Sequence, residues 1–131
     1  MNVNRLAALL LLVCAPAMAA PPEETVAPLV RHALTGIEGK AFTAIVVTFP
    51  PGAKAIPHRH GTAFLYAYVL EGTVRSQLEG EPVQTYTVGQ SWIEEPGAHH
   101  LATENASATA VARLLVTFVA DEGAALKTPD P

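Results

Sequence analysis

Short apolar runs alternate with glycine- and proline-rich punctuation along this chain. Ala41–Phe49 (AFTAIVVTF) is rich in β-branched and aromatic residues and stops at Pro50-Pro51-Gly52. Ala63–Leu70 (AFLYAYVL) is an unbroken apolar run that closes on Glu71-Gly72. In Thr73–Glu79, Val74, Ser76 and Leu78 share one face and Arg75, Gln77 and Glu79 the other. Further runs follow at Val83–Val88, Ser91–Glu94, His100–Thr103 and Ala110–Val119, with a first short one at Val30–Leu34. Period-two patterning bounded by turn residues predicts strands. Many such strands without a helical period predict an all-β sandwich or barrel. No repeat of the length used by solenoids is present.

The N-terminus reads differently. Leu6–Cys14 is an apolar run behind Arg5, followed by Ala17-Met18-Ala19, a small-x-small site. This predicts a signal peptide over residues 1–19, cleaved near Ala19, and a secreted or periplasmic protein. The run is too short for a stable membrane anchor. Residues 20–30 are expected to form a flexible leader, 31–120 the barrel, and 121–131 a charged, Pro-rich tail. Cleavage removes Cys14, the one cysteine, so neither disulfides nor thiolate chemistry is expected.

Composition narrows the partners. Half of the 131 residues are hydrophobic and 15% are charged, which suits one globular domain. The net charge is −4 and no basic cluster occurs, which argues against nucleic acid as a partner.

The candidate chemistry lies in histidines. His58 and His60 are two residues apart, so an extended segment points both at one spot. Neutral imidazoles are common ligands for divalent transition metals. A third stands downstream as His99 or His100. Adjacent strand residues face opposite ways, so one of the two joins the pair.

These segments resemble the two motifs of the cupin family. Gly52, His58, His60 and Gly72 fall in register with the first, and Gly89, Gly97 and His100 with the second. The resemblance spans roughly residues 31–120. The chain departs from the motifs at three places: Leu65 stands for the first motif's glutamate, Glu95 for a proline, and Glu104 for a terminal asparagine, with Asn105 one place later. The resemblance implies a double-stranded β-helix, or jelly-roll barrel, with His58, His60 and His100 as metal ligands and His99 outside the first ring of contacts. It also implies a small-molecule substrate or ligand and a homodimer. Similarity is greatest to the small quercetin-dioxygenase-like cupins, although Leu65 lacks the carboxylate that flavonol cleavage uses.

Several residues are ambiguous by sequence. If Leu65 faces the cavity, Ala63, Ala67 and Val69 do too, and Phe64, Tyr66 and Tyr68 face out, where a second subunit or the Val30–Leu34 segment would cover them. Glu94 and Glu95 precede a Pro-Gly turn. Each is either a solvated turn charge or a replacement carboxylate, with Glu94 the candidate catalytic residue. Trp92 is expected in the core, Arg59 and His32 on the surface. A nitrogen-only donor set suits Fe first, with Ni, Cu, Zn or Mn as alternatives. The expected function is a three-histidine, metal-dependent oxygenase-type enzyme. The competing readings are a non-catalytic periplasmic metal- or ligand-binding cupin and a metal-free, isomerase-like cupin.

Overall fold

The structure, a computed structural model, describes residues 22–131. The expected signal peptide lies outside the described residues. Eleven strands follow in order: β1 (Thr25–Ala33), β2 (Lys40–Phe49), β3 (Lys54–Ala55), β4 (His58–Arg59), β5 (Phe64–Glu71), β6 (Thr73–Leu78), β7 (Gln84–Thr87), β8 (Ser91–Glu94), β9 (His99–Asn105), β10 (Ala112–Asp121) and β11 (Thr128–Pro129). The described residues contain no helix, as the punctuation of the sequence predicts.

The strands form two antiparallel sheets. One has the order β1-β2-β10-β5-β8, the other β11-β4-β9-β6-β7, with β3 paired to β9. This is the double-stranded β-helix expected from the motifs. The core draws Leu65, Ala67 and Val69 from β5, Leu114, Val116 and Phe118 from β10, and Val74 from β6. The parity expected for β5 holds. Ala63, Leu65, Ala67 and Val69 are at most 2% exposed, whereas Phe64, Tyr66 and Tyr68 are half-buried on the outer face.

Both ends of the described chain differ from expectation. Residues 20–30 are not wholly a loose leader, because β1 begins at Thr25 and pairs along β2 from Ala33↔Ala41 to Thr25↔Thr48. Pro28 interrupts the register but not the strand. β1 is a sheet edge, where the missing N–H of proline leaves no ladder bond unmade. β1 therefore extends the sheet sideways and does not cover the outer face of β5. The segment 121–131 is no free tail either, since β11 pairs with β4 through Thr128↔Arg59 and Pro129↔His58.

Two local features set the register of the site. Gly72 has φ 73°, and a Cβ there would lie 2.6 Å from the Val111 carbonyl oxygen, so the turn between β5 and β6 needs glycine. β9 carries an extra residue against β6: Gln77 pairs with Ala102 but Leu78 with His100. This bulge brings Thr103 and Asn105 to the inner side with His100 and leaves Glu104 outside, bonded to Lys54 and Arg75. Asn105 then staples the end of β2 to the β9–β10 loop. Its Nδ2 donates to the carbonyls of Phe49, Pro50 and Ala110 at 3.1, 3.1 and 2.7 Å, and its Oδ1 accepts from the Ser107 N–H at 2.9 Å.

Candidate metal centre

The strand pairing assembles the histidines. β4 runs beside β9 so that His58 sits directly opposite His100, while Arg59 opposes His99 on the other face. His60 follows two residues after His58 and turns inward again. All three inner imidazoles are buried, and they offer ring nitrogens within 4.8 Å of one another. Ring centroids are 4.8 Å apart for His58–His60, 5.1 Å for His58–His100 and 6.4 Å for His60–His100.

Hydrogen bonds orient each ring. His58 Nδ1 donates to the Ile56 carbonyl at 2.7 Å, and His60 Nδ1 donates to the Leu126 carbonyl. Their Nε2 atoms are thereby left as lone-pair donors toward the cavity. His100 is braced at both nitrogens. Glu94 Oε1 lies 3.0 Å from its Nδ1, while Ser76 Oγ and Thr103 Oγ1 lie 2.9 and 2.7 Å from its Nε2. A hydroxyl can donate or accept, so this pair supports either tautomer of His100 and lets Nδ1 hold a proton or present a lone pair.

Glu94 resolves as a buried group at 1% exposure. It pairs across the ladder with Leu65, and both side chains enter the same cavity. Trp92 Nε1 donates to its Oε1 at 3.1 Å. Its Oε2 is buried, has no hydrogen-bond partner among the described residues, and lies 3.6 Å from His60 Nε2. An anionic oxygen left unpaired between imidazoles fits a cation, as do the two open Nε2 atoms. The donor set suits a divalent transition ion. Glu94 stands beside the three histidines, in the place of the replacement carboxylate that the sequence left open.

The electrostatics favour neutral rings beside a charged carboxylate. Burial lowers the His58 pKa to about 4, helped by the neighbouring His60, His100 and Lys127, and the Ile56 carbonyl only partly offsets this. Burial also lowers the His60 pKa, against the opposing pull of the Leu126 carbonyl and Glu94. Burial alone would raise the Glu94 pKa, yet His100, Trp92 and His60 together hold it below the usual carboxylate value.

The remaining candidates lie elsewhere. His99 points away from the cavity, 2.7 Å from Asp130 and 3.5 Å from Glu79. Glu95 and His32 are exposed, and so is Arg59, which donates to the Gly97 carbonyl. Trp92 is half-buried against the core and also lines the cavity. Sequence reasoning did not single out Ser76, Thr103 or Leu126. Ser76 had a readable signal, being the one polar residue on the face of Val74 and Leu78. Thr103 had none, because its inward turn depends on the bulge.

The cupin domain family (Cupin_2) matches residues 45–118, more than half of the chain, and the chain belongs to that family. No curated protein sequence matches it. Among solved structures it is similar to the Cnp3 cupin domain of Schizosaccharomyces pombe, with TM-score 0.62 and 19% identity, covering 75% of this chain and 61% of that one. It is similar to a conserved double-stranded β-helix protein of Klebsiella pneumoniae, with TM-score 0.61 and 18% identity over 82% of this chain and 85% of that one. It is also similar to the DMSP lyase DddQ of Ruegeria pomeroyi, with TM-score 0.65 and 22% identity over 81% of this chain but 51% of that one. At these identities the likeness establishes the fold.

Proposed function

We propose that this cupin holds one divalent transition ion, Fe first among the candidates, on His58, His60 and His100, and that it is an oxygenase-type enzyme acting on a small molecule. One observation carries the reading: three buried imidazoles lie together beside buried Glu94, whose Oε2 has no hydrogen-bond partner among the described residues. When bound, such an ion supplies Lewis-acid polarisation of a substrate oxygen and, for a redox-active metal, one-electron chemistry. The chain's own residues do the rest. His58 and His60 are kept neutral by burial and are oriented by backbone carbonyls. His100 presents Nδ1 once its proton moves to Nε2, where Ser76 and Thr103 accept it. Glu94, ionised and fixed by Trp92, takes a proton from a substrate hydroxyl or activated C–H brought to the site.

The reading is tested by metal stoichiometry of purified wild type and His60→Ala, with dioxygen uptake in the presence of candidate substrates. Wild type is expected to bind one equivalent and His60→Ala none. Uptake without metal, or full stoichiometry in His60→Ala, would sink the assignment. We propose in addition that residues 1–19 direct export and that the outer face of β5 pairs with a second copy. The apolar run before Ala17-Met18-Ala19 supports the first, and the half-buried Tyr66 and Tyr68 support the second.

A further inference from the structure

The cavity beside the histidines has walls as well as a floor, and the walls describe its occupant. Its volume is about 260 Å³. That equals roughly nine waters and falls below the range of about 300–1,000 Å³ usual for drug-sized ligands. Its sides are Ile45, Val47, Leu65, Leu114, Val116 and Phe118, with no polar side chain among them. The polar groups of the interior gather at one end around the histidines, and most are already engaged. Thr103 bonds His100, Trp92 bonds Glu94, and both Nδ1 atoms of His58 and His60 bond backbone carbonyls. Away from Glu94 and the histidine end, the lining turns charged only at Glu24 and Lys127, which pair with each other where β1 and the C-terminal segment meet.

From this layout we infer that the ligand is a small, apolar-bodied molecule, a single ring or a short chain, with one chelating oxygen head. The head meets the histidine end and the body lies along the aliphatic walls. Sugars and small diacids do not fit this description. Each hydroxyl or carboxylate set against the walls is left without a partner, at a cost of roughly five- to a hundredfold in affinity. A polyhydroxylated flavonol fails on the same count. The choice of head group rests on the metal reading above, whereas the apolar body is read from the walls alone.

Trp92 is the single tryptophan of the chain and lines this cavity, so its fluorescence reports occupancy. Two series of probes separate body from head. Zinc-loaded protein is titrated with acetohydroxamate, butanohydroxamate, hexanohydroxamate, benzohydroxamate and the polyhydroxylated gluconohydroxamate. Metal-free protein is titrated with butanol, hexanol, phenol and glycerol. Affinity is expected to climb by up to about fourfold per buried methylene in both series. Gluconohydroxamate should bind no tighter than acetohydroxamate, and glycerol should not register. Val116→Thr, which keeps the shape and adds a hydroxyl to the wall, should flatten the gradient severalfold while leaving zinc stoichiometry intact. Ile45→Thr, at a half-buried wall position, replaces it if Val116→Thr fails to fold. A flat gradient in the alcohols, or a polyhydroxylated probe that binds as tightly as the hexyl or phenyl one, overturns the inference. If hydroxamates gain nothing over alcohols while the alcohol gradient persists, the apolar body stands and the metal reading falls.

Discussion

Leu65 and Glu94 face each other across the β5–β8 ladder, both turned into the cavity. The carboxylate missing from the first motif at Leu65 is thus present one strand away, on an inward position of β8. Directly opposed strand residues have Cβ atoms about 4.5–5.5 Å apart, close enough for one to stand in for the other.

A swap across this ladder is therefore expected to work where single changes fail. Leu65→Glu alone sets two carboxylates against each other and should lower the melting temperature of the metal-free protein. Glu94→Gln should weaken metal binding at least tenfold while keeping the acceptor for Trp92. The double variant Leu65→Glu/Glu94→Leu should recover metal affinity to within a few fold of wild type. Calorimetric titration of the four proteins with Fe(II), Zn and Mn checks this. A double variant no better than Glu94→Gln would show that the two positions are not equivalent.

The metal-free protein should lose stability as pH falls through a defined window. Histidine in the unfolded chain titrates near 6.5, whereas folded His58 titrates at about 4 and His60 below its usual value. The unfolded state therefore binds more protons between these limits, and stability declines from about pH 6.5 down to about pH 4. Glu94, lowered in the fold, acts in the same direction below its unfolded pKa near 4.5. Metal binding should persist to lower pH than for free imidazoles, because His58 and His60 resist protonation. Urea midpoints across pH 4–8, with and without zinc, measure both effects. A His58→Phe variant should show a shallower dependence.

Asn105→Ala removes donors from three carbonyls at once. The loss should cost about 2 kcal/mol or more of stability, since a buried group left unpaired costs about 1–3 kcal/mol and only the Pro50 carbonyl keeps a second donor, the Ala53 N–H. Metal stoichiometry of the folded fraction should stay at wild type, because Asn105 touches none of the three histidines. Chemical denaturation with metal analysis separates the two.

The outer face of β5 yields a fourth expectation. Tyr66 and Tyr68 lie beside Thr117 and Leu115 of β10, and β1 does not cover them. Sedimentation should give a dimer, and Tyr68→Glu a monomer that keeps its metal. A wild-type monomer at micromolar concentration would remove the proposal.

Much of this architecture was legible in the residues. The spacing of His58 and His60, the parity of Ala63–Leu70 and the glycine at Gly72 each follow from strand geometry, and each appears as expected. Glu94 could be nominated but not decided, because its burial depends on which strand pairs with β5. The C-terminal contribution was hidden for another reason. Leu126 acts through its backbone carbonyl on His60, and a carbonyl leaves no mark on residue type. The strand within residues 20–30 was hidden too, since Pro28 is compatible with a strand only at a sheet edge, and edge position depends on pairing.

The bulge in β9 gives the site one residue of slack. Leu78 pairs with His100 and Gln77 with Ala102, so removing Leu101 would close the bulge and leave the register on either side in place. His100, Thr103 and Asn105 would still face inward and Glu104 outward. Losing a second residue as well would reverse the faces beyond it, because no spare position would remain to absorb the slip. Substitution surveys of this strand would not reveal that reserve, since it lies in the length of the segment and not in its chemistry. Loss of Leu101 alone should accordingly be tolerated among functional variants, and loss of both Leu101 and Ala102 should not.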